Sequence, residues 1–321
     1  MRISYARAVA LALAEAMADD DVFLLGEDIA SGGAYGATQG LLDRFGAGRV
    51  RDTPISESAI VGYALGAALA GMRPVAEIMH MDFTACAMDQ LVNQAAKARY
   101  MFGGGMAVPL TVRTGTGGWL GAAAQHSQSL EAWFIHIPGL RVMTAGTPAD
   151  IRAVLRAAIA MPDPVIVMEP LSLYSVRAEV PDHWAASEAP PLADVKRRGD
   201  DVTIVTWGAL VPRTLEAADT LAADGVGAEV IDLLSLSPWD TETVLGSVAR
   251  TGRLVVAHQA HRRGGFGAEI VATVAERRPG GRAPAVARVA GLDVPVPFSP
   301  VLEGFALPDA TRIVAAVGRT G

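Results

Sequence analysis

Glu57 is the residue of this sequence most open to a chemical reading. It stands in VRDTPISESAIVGYALGAALAGMRPVAEIM, Val50 to Met79, at the mouth of an apolar helix between two strand-like segments. Its neighbours Ile55, Ala59, Ile60, Val61 and Ala64 predict an apolar setting, where desolvation penalises the charged form of a carboxylate. A carboxyl there suits hydrogen bonding to a ring nitrogen of a heteroaromatic ligand and passing it a proton, which is general acid–base work. The structural alternative is a helix start, with Ser56 as N-cap and Glu57 offsetting the positive end of the dipole. The position alone leaves both open.

His126 is the best imidazole candidate. It lies in GWLGAAAQHSQS, where a glycine- and alanine-rich loop meets a predicted helix start at Ser127, a setting in which backbone can approach a ligand closely. Solvated loop histidine beside an N-capping serine is the alternative. His80 ends a predicted strand, where packing competes with lining a pocket. His136 reads as helix-end packing, His183 as linker surface, and His258 and His261 as an exposed polar loop; none has the spacing of a zinc site. Cys86, between Ala85 and Ala87, reads as an inert buried thiol.

The elements that must position these groups alternate. Tyr5 to Met17 is a predicted helix, VFLLGED from Val22 a buried strand and GLLDRF from Gly40 a short helix. A strand, the small-residue helix after Glu57 and the strand PVAEIM follow. Then come a long helix from about Asp82 to Tyr100, VPLTVRTG from Val108, a helix from Ser127, LRVMTAG, a helix from Pro148 to Ala160 and PVIVMEP. Helices between continuous apolar strands imply a parallel sheet covered on both faces. The stretch from Arg177 to Asp200 has no clear period, and after it VTIVTWG, AEVIDLLSL, RLVVAHQA and VARVAGLD alternate with helices again. The fold class is therefore α/β with two parallel-sheet domains, at 1–180 and 201–321, joined by a linker at 181–200.

Composition removes other classes. Half of the 321 residues are hydrophobic and the formal charge is −7, so the chain can bury large cores and lacks a basic footprint for nucleic acid. One cysteine excludes an internal disulfide framework and fits a reducing compartment, with the cytoplasm as default. No stretch approaches the roughly 20 apolar residues that span a bilayer. GGFGAEIV opens a helix after a strand but lacks the third small residue of a dinucleotide fingerprint, and GxxxxGK[ST] is absent.

DTPISES, AEIMHMDF, DQLVNQAAKARYMFGG, GAAAQHSQS, HIPGLRV and GLDVPVPFSP occur in an order that resembles the β subunit of a thiamine-diphosphate-dependent 2-oxo acid dehydrogenase E1 component, of the pyruvate and acetoin dehydrogenase type. The likeness covers nearly the whole chain. It implies a transketolase-like pyrimidine-binding domain followed by a transketolase C-terminal-like domain. The glutamate matching Glu57 contacts the aminopyrimidine and promotes the imino tautomer that deprotonates the thiazolium. Phe83 matches a residue packing on the pyrimidine, Ile55 one beside the cofactor, and Glu27 an acid supporting the catalytic glutamate. His126 matches the histidine of acyl transfer to a lipoyl group. A potassium site of some relatives maps to Leu110, Ala158, Met161 and Asp163.

The Mg²⁺-binding GDG of this enzyme class does not occur in the chain. The resemblance therefore implies an α subunit in an α2β2 assembly that supplies the diphosphate half of the site and most of the Mg²⁺ ligands. The implied reaction is oxidative decarboxylation of a pyruvate-like 2-oxo acid and reductive acylation of lipoamide on E2. The alternatives are acetoin cleavage and half of a split transketolase-like ketol transferase. His80, Cys86 and HQAHRRGGFG depart from the family pattern.

Overall fold

The computed structural model describes residues 1–181, 192–281 and 283–320. The first half of the chain contributes β1 (Arg2–Ser4), β2 (Val22–Gly26), β3 (Val50–Asp52), β4 (Arg73–His80), β5 (Thr111–Thr116), β6 (Arg141–Thr144), β7 (Val165–Pro170) and β8 (Arg177–Glu179). The second contributes β9 (Ala193–Arg197), β10 (Val202–Thr206), β11 (Ala228–Leu233), β12 (Ser235–Ser237), β13 (Arg253–His261) and β14 (Ala285–Gly291). Strands β2, β7, β10 and β11 are buried along their whole length, as strands covered on both faces must be.

A seven-stranded sheet has the order β12-β6-β7-β5-β4-β2-β3, and a five-stranded sheet the order β14-β13-β10-β11-β9. Every neighbouring pair in the first is parallel except β12 with β6, and every pair in the second except β11 with β9. Side chains alternate between the faces of β2. Phe23 and Leu25 join the core containing the helix Glu57–Leu69, whereas Val22 and Leu24 join that of the helices Tyr5–Ala16 and Pro148–Ala160. The first of these cores continues through Trp207, Ile231 and Phe266 of the second half, so the two sheets share an interior.

Three sequence expectations change. Within 181–200, residues Ala193–Arg197 form β9, an edge strand bonded to β11; its polar sequence suits an edge, and that polarity is what made it read as linker. His183 and Trp184 lie outside the described residues. The long helix from Asp82 is instead a 3₁₀ segment Met81–Ala87, a π segment Asp89–Ala95 and a short α-helix Ala96–Met101. Its buried residues fall at intervals of three (Met81, Thr84, Ala87) and then of four (Leu91, Ala95), a change of winding that no Gly or Pro marks in the sequence. The helix placed at Ser127 spans Glu131–Ile135, with Leu130 at the N-cap.

Candidate active site

The carboxyl ends of parallel strands are where open α/β sheets gather ligands, and the candidate residues follow such ends here. Glu27 comes directly after β2, Glu57 follows β3, Phe83 follows β4 and His126 follows β5. Gly26 lets β2 deliver Glu27, since a Cβ there would lie 2.9 Å from both the Cβ and the carbonyl oxygen of Glu77. Glu57 opens its helix, but the Ser56 side chain makes no capping bond. Glu57 is half-buried, against the apolar burial expected of it. Ile60, Val61 and Ala64 do face the core, whereas Ala59 is exposed and Ile55 is 75 % exposed, because the first turn sits at the open end of the sheet. Desolvation, then Asp28 and Glu57, push the Glu27 carboxyl above its ordinary range.

Beyond them a ring cluster forms. The His80 and His126 rings meet edge to face at 4.9 Å, and Phe83 lies 5.6 Å from His80 and 5.2 Å from His126. His80 is buried, and its Nε2 is 2.8 Å from the Tyr35 hydroxyl. Burial, then neighbouring His126, lower its pKa, partly offset by Asp82 and by a hydrogen bond to the His126 backbone. A neutral His80 therefore braces His126, whose imidazole is exposed. Asp82 Oδ1 accepts from the Gln128 backbone N–H at 3.3 Å and from its Nε2 at 2.8 Å, fixing the far side of the His126 loop. The helix Glu57–Leu69 packs on Met81–Ala87, which ties the carboxylates to the cluster.

The transketolase pyrimidine-binding domain model matches residues 1–176 and the transketolase C-terminal domain model residues 192–313. The chain is 47 % identical over 315 residues to the acetoin:2,6-dichlorophenolindophenol oxidoreductase subunit beta of Cupriavidus necator, covering 94 % of this chain and 92 % of that one. It is 43 % identical to the mitochondrial pyruvate dehydrogenase E1 component subunit beta-2 of Oryza sativa, covering 95 % and 82 %. This chain belongs to the E1 β-subunit family. Its fold superposes on a solved chain described as split gene transketolase, inactive beta4 tetramer, with a TM-score of 0.81 and 25 % identity, over 99 % of this chain and 98 % of that one.

Behind the carboxylates of this E1 β chain lies a charged core. Arg113 of β5 is fully buried, and donates from Nε to Glu169 Oε1 at 2.9 Å, from Nη2 to Glu169 Oε2 at 2.7 Å and from Nη1 to Glu77 Oε2. Burial raises the pKa of Glu77 while Arg113 lowers it, and Glu169 and Glu27 add to the rise. The network thus reaches electrostatically toward Glu27.

Around the positions matched to a potassium site, the carbonyls are already engaged. Leu110 O accepts from Val165 N at 2.9 Å and Ala158 O from Met161 N at 3.1 Å. Arg73 Nη1 donates to Ile159 O at 3.0 Å and to Met161 O at 3.4 Å. The Asp163 carboxylate faces Arg99 at 2.5 Å and Arg141 at 3.7 Å. Among the described residues no group of three His, Cys, Asp or Glu side chains is arranged to hold a metal ion, and no helix is long and apolar enough to cross a membrane.

Other sequence readings are corrected. His258 is not in an exposed loop but fully buried in β13, stacked on Trp207 at 5.0 Å. His261 ends the same strand with Nδ1 2.7 Å from Leu292 O. His136 is exposed at its helix end, and Cys86 is exposed rather than buried, because the 3₁₀ winding turns it away from the Thr84–Ala87 face. Tyr35 and Asp82 were missed; a tyrosine in a glycine-rich loop and an aspartate in a supposed helix carry no local signal of partners 45 and 46 residues away.

Proposed function

We propose that this chain provides the aminopyrimidine side of a thiamine-diphosphate site completed by an α subunit. The observation that carries the reading is the placement of Glu27 and Glu57 together at the open end of the sheet, where desolvation, then Asp28 and Glu57, raise the Glu27 pKa, beside the exposed apolar side chain of Ile55. A flat heteroaromatic ring needs such a proton-sharing edge and an apolar cover, so the residues present fit the group. When bound, the cofactor supplies a carbon nucleophile and an electron sink for breaking the bond beside the substrate carbonyl. Glu57 would hold a proton at the pyrimidine ring nitrogen, with Glu27 beside it at the same end of the sheet. Ile55 and Phe83 would cover the ring and exclude water. His126 would deliver a proton to the reacting oxygen or to the thiolate released from the lipoyl disulfide, held in place by neutral His80.

The sequence contains no GDG, so Mg²⁺ and the diphosphate would be held mainly by the α subunit, in an α2β2 assembly serving a lipoyl-bearing E2. The substrate is a pyruvate-like 2-oxo acid; the identity with the acetoin-named relative makes acetoin the second substrate to test. Potassium is left outside the proposal, because Arg73 already brings positive charge to the carbonyls of that region.

The test is coexpression with the candidate α chain, followed by thiamine-diphosphate-dependent dye reduction with pyruvate, branched-chain 2-oxo acids and acetoin. Turnover on none of them by a folded, cofactor-loaded assembly would remove the substrate proposal. Glu57→Gln is expected to abolish exchange of the cofactor C2 proton while assembly is kept, and wild-type exchange would take Glu57 out of the mechanism.

A further inference from the structure

We infer that Glu303, on the helix Pro300–Ala306 of the second half, is a positioning residue for the loop that carries His126; the inference rests on the role proposed for His126. The segment 117–126 leaves β5 with no helix or strand to define it. Trp119 and Ala123 take φ of 67° and 62°, a left-handed conformation that side-chain-bearing residues adopt only when their surroundings impose it. For Trp119 the contact comes from the other sheet's domain. Glu303 Oε1 accepts from Trp119 N at 2.7 Å, and Glu303 Oε2 accepts from Gly121 N at 3.2 Å.

The helix itself marks Glu303 as unusual. It exposes Val301 at 81 % and Phe305 at 74 % and buries its glutamate to 4 %, the reverse of an amphipathic helix in a water-soluble fold. A buried carboxylate is costly unless hydrogen-bonded, and here its partners are the two loop amides. The approach is close. A Cβ on Gly118 would lie 2.7 Å from Leu307 Cδ1 and 3.0 Å from Glu303 Oε1, and the Arg213 guanidinium covers the Trp119 ring at 3.9 Å. The His126 loop is thus fixed at its far end by His80 and Asp82 of the first half, and at its near end by Glu303 of the second.

The experiment compares Glu303→Ala and Glu303→Gln with wild type in the assembled, cofactor-loaded enzyme, beside His126→Ala. Amide hydrogen exchange across 117–126 is read together with the kcat and KM for acyl transfer to a lipoyl acceptor. Exchange at Trp119 and Gly121 should quicken by roughly tenfold or more in Glu303→Ala, the size that loss of a charge-assisted hydrogen bond produces. Glu303→Gln keeps one acceptor oxygen and should fall between. kcat should drop in the same order, with KM for the 2-oxo acid held, in the manner of His126→Ala. Unchanged exchange in both Glu303 variants, or faster exchange with wild-type kcat, would overturn the inference. Wild-type kcat in His126→Ala with altered exchange in the Glu303 variants would instead remove the role of His126, leaving Glu303 as a loop brace with no catalytic group to position.

Discussion

His258 should make the protein sensitive to mild acid, and the size of the effect follows from its surroundings. The imidazole is fully buried, stacked on Trp207 with an interplanar angle of 6°, and neither ring nitrogen has a hydrogen-bond partner among the described residues. Burial, with a smaller contribution from Arg288, lowers its pKa from 6.5 to about 3. Above pH 6.5 the ring is neutral folded or unfolded and costs nothing electrostatically. As pH falls below 6.5 the unfolded chain takes up a proton that the folded chain refuses until near pH 3, so stability is lost across that window. At pH 5 the loss amounts to about 2 kcal/mol, because that pH lies about 1.5 units below the unfolded pKa and still well above the folded one.

His258→Leu removes the titrating group at similar volume. The constant cost of losing the Trp207 stack cancels when the change between two pH values is read. Urea unfolding of wild type and variant at pH 7.5 and pH 5.0 should show wild type losing about 2 kcal/mol more than the variant over that interval. Equal losses would refute the argument, because they would mean that the ring is charged or hydrated in the folded state.

Arg113→Met strands the buried Glu77 and Glu169 carboxylates and should cost about 3–5 kcal/mol in stability. Adding Glu169→Gln should recover part of that loss in thermal unfolding, and simple additivity of the two changes would show that the charges are not coupled. Asp232 points the opposite way. Neither of its carboxylate oxygens has a hydrogen-bond partner among the described residues, the Lys196 ammonium stands 3.9 Å away, and burial followed by Asp150 raises its pKa well above 3.8 against the opposing pull of Lys196. The native state therefore loses stability relative to the unfolded chain as pH rises above 3.8. Asp232→Asn should be stabilising near neutral pH, with the gain vanishing below about pH 4; a constant gain across that range in melting curves would exclude the titration.

Continuous apolar runs such as VFLLG and VIVMEP disclosed buried parallel strands, and with them the sheet ends where Glu27, Glu57, Phe83 and His126 emerge. That much is local information. The exposure of Glu57 was not, since it depends on which end of the helix the sheet leaves open. His258 was mistaken for loop because HQAHRR is polar, whereas the flat face of Trp207, 51 positions earlier in the chain, lets a histidine sit inside a strand. Tyr35 and Glu303 were invisible for the same reason: each acts on a group distant in sequence, and nothing in its own neighbourhood signals the partner.

Strand β12 belongs by sequence to the second half, yet it closes the edge of the first sheet, where Thr144 N also donates to Leu234 O at 3.0 Å. The two family-matched segments are therefore not separable modules. A fragment ending near residue 181 would bare the β6 backbone as an open edge. No copy of that fragment holds Ser235–Ser237, so cutting this chain between its modules invites edge-to-edge pairing of bared β6 strands instead of yielding a free-standing domain.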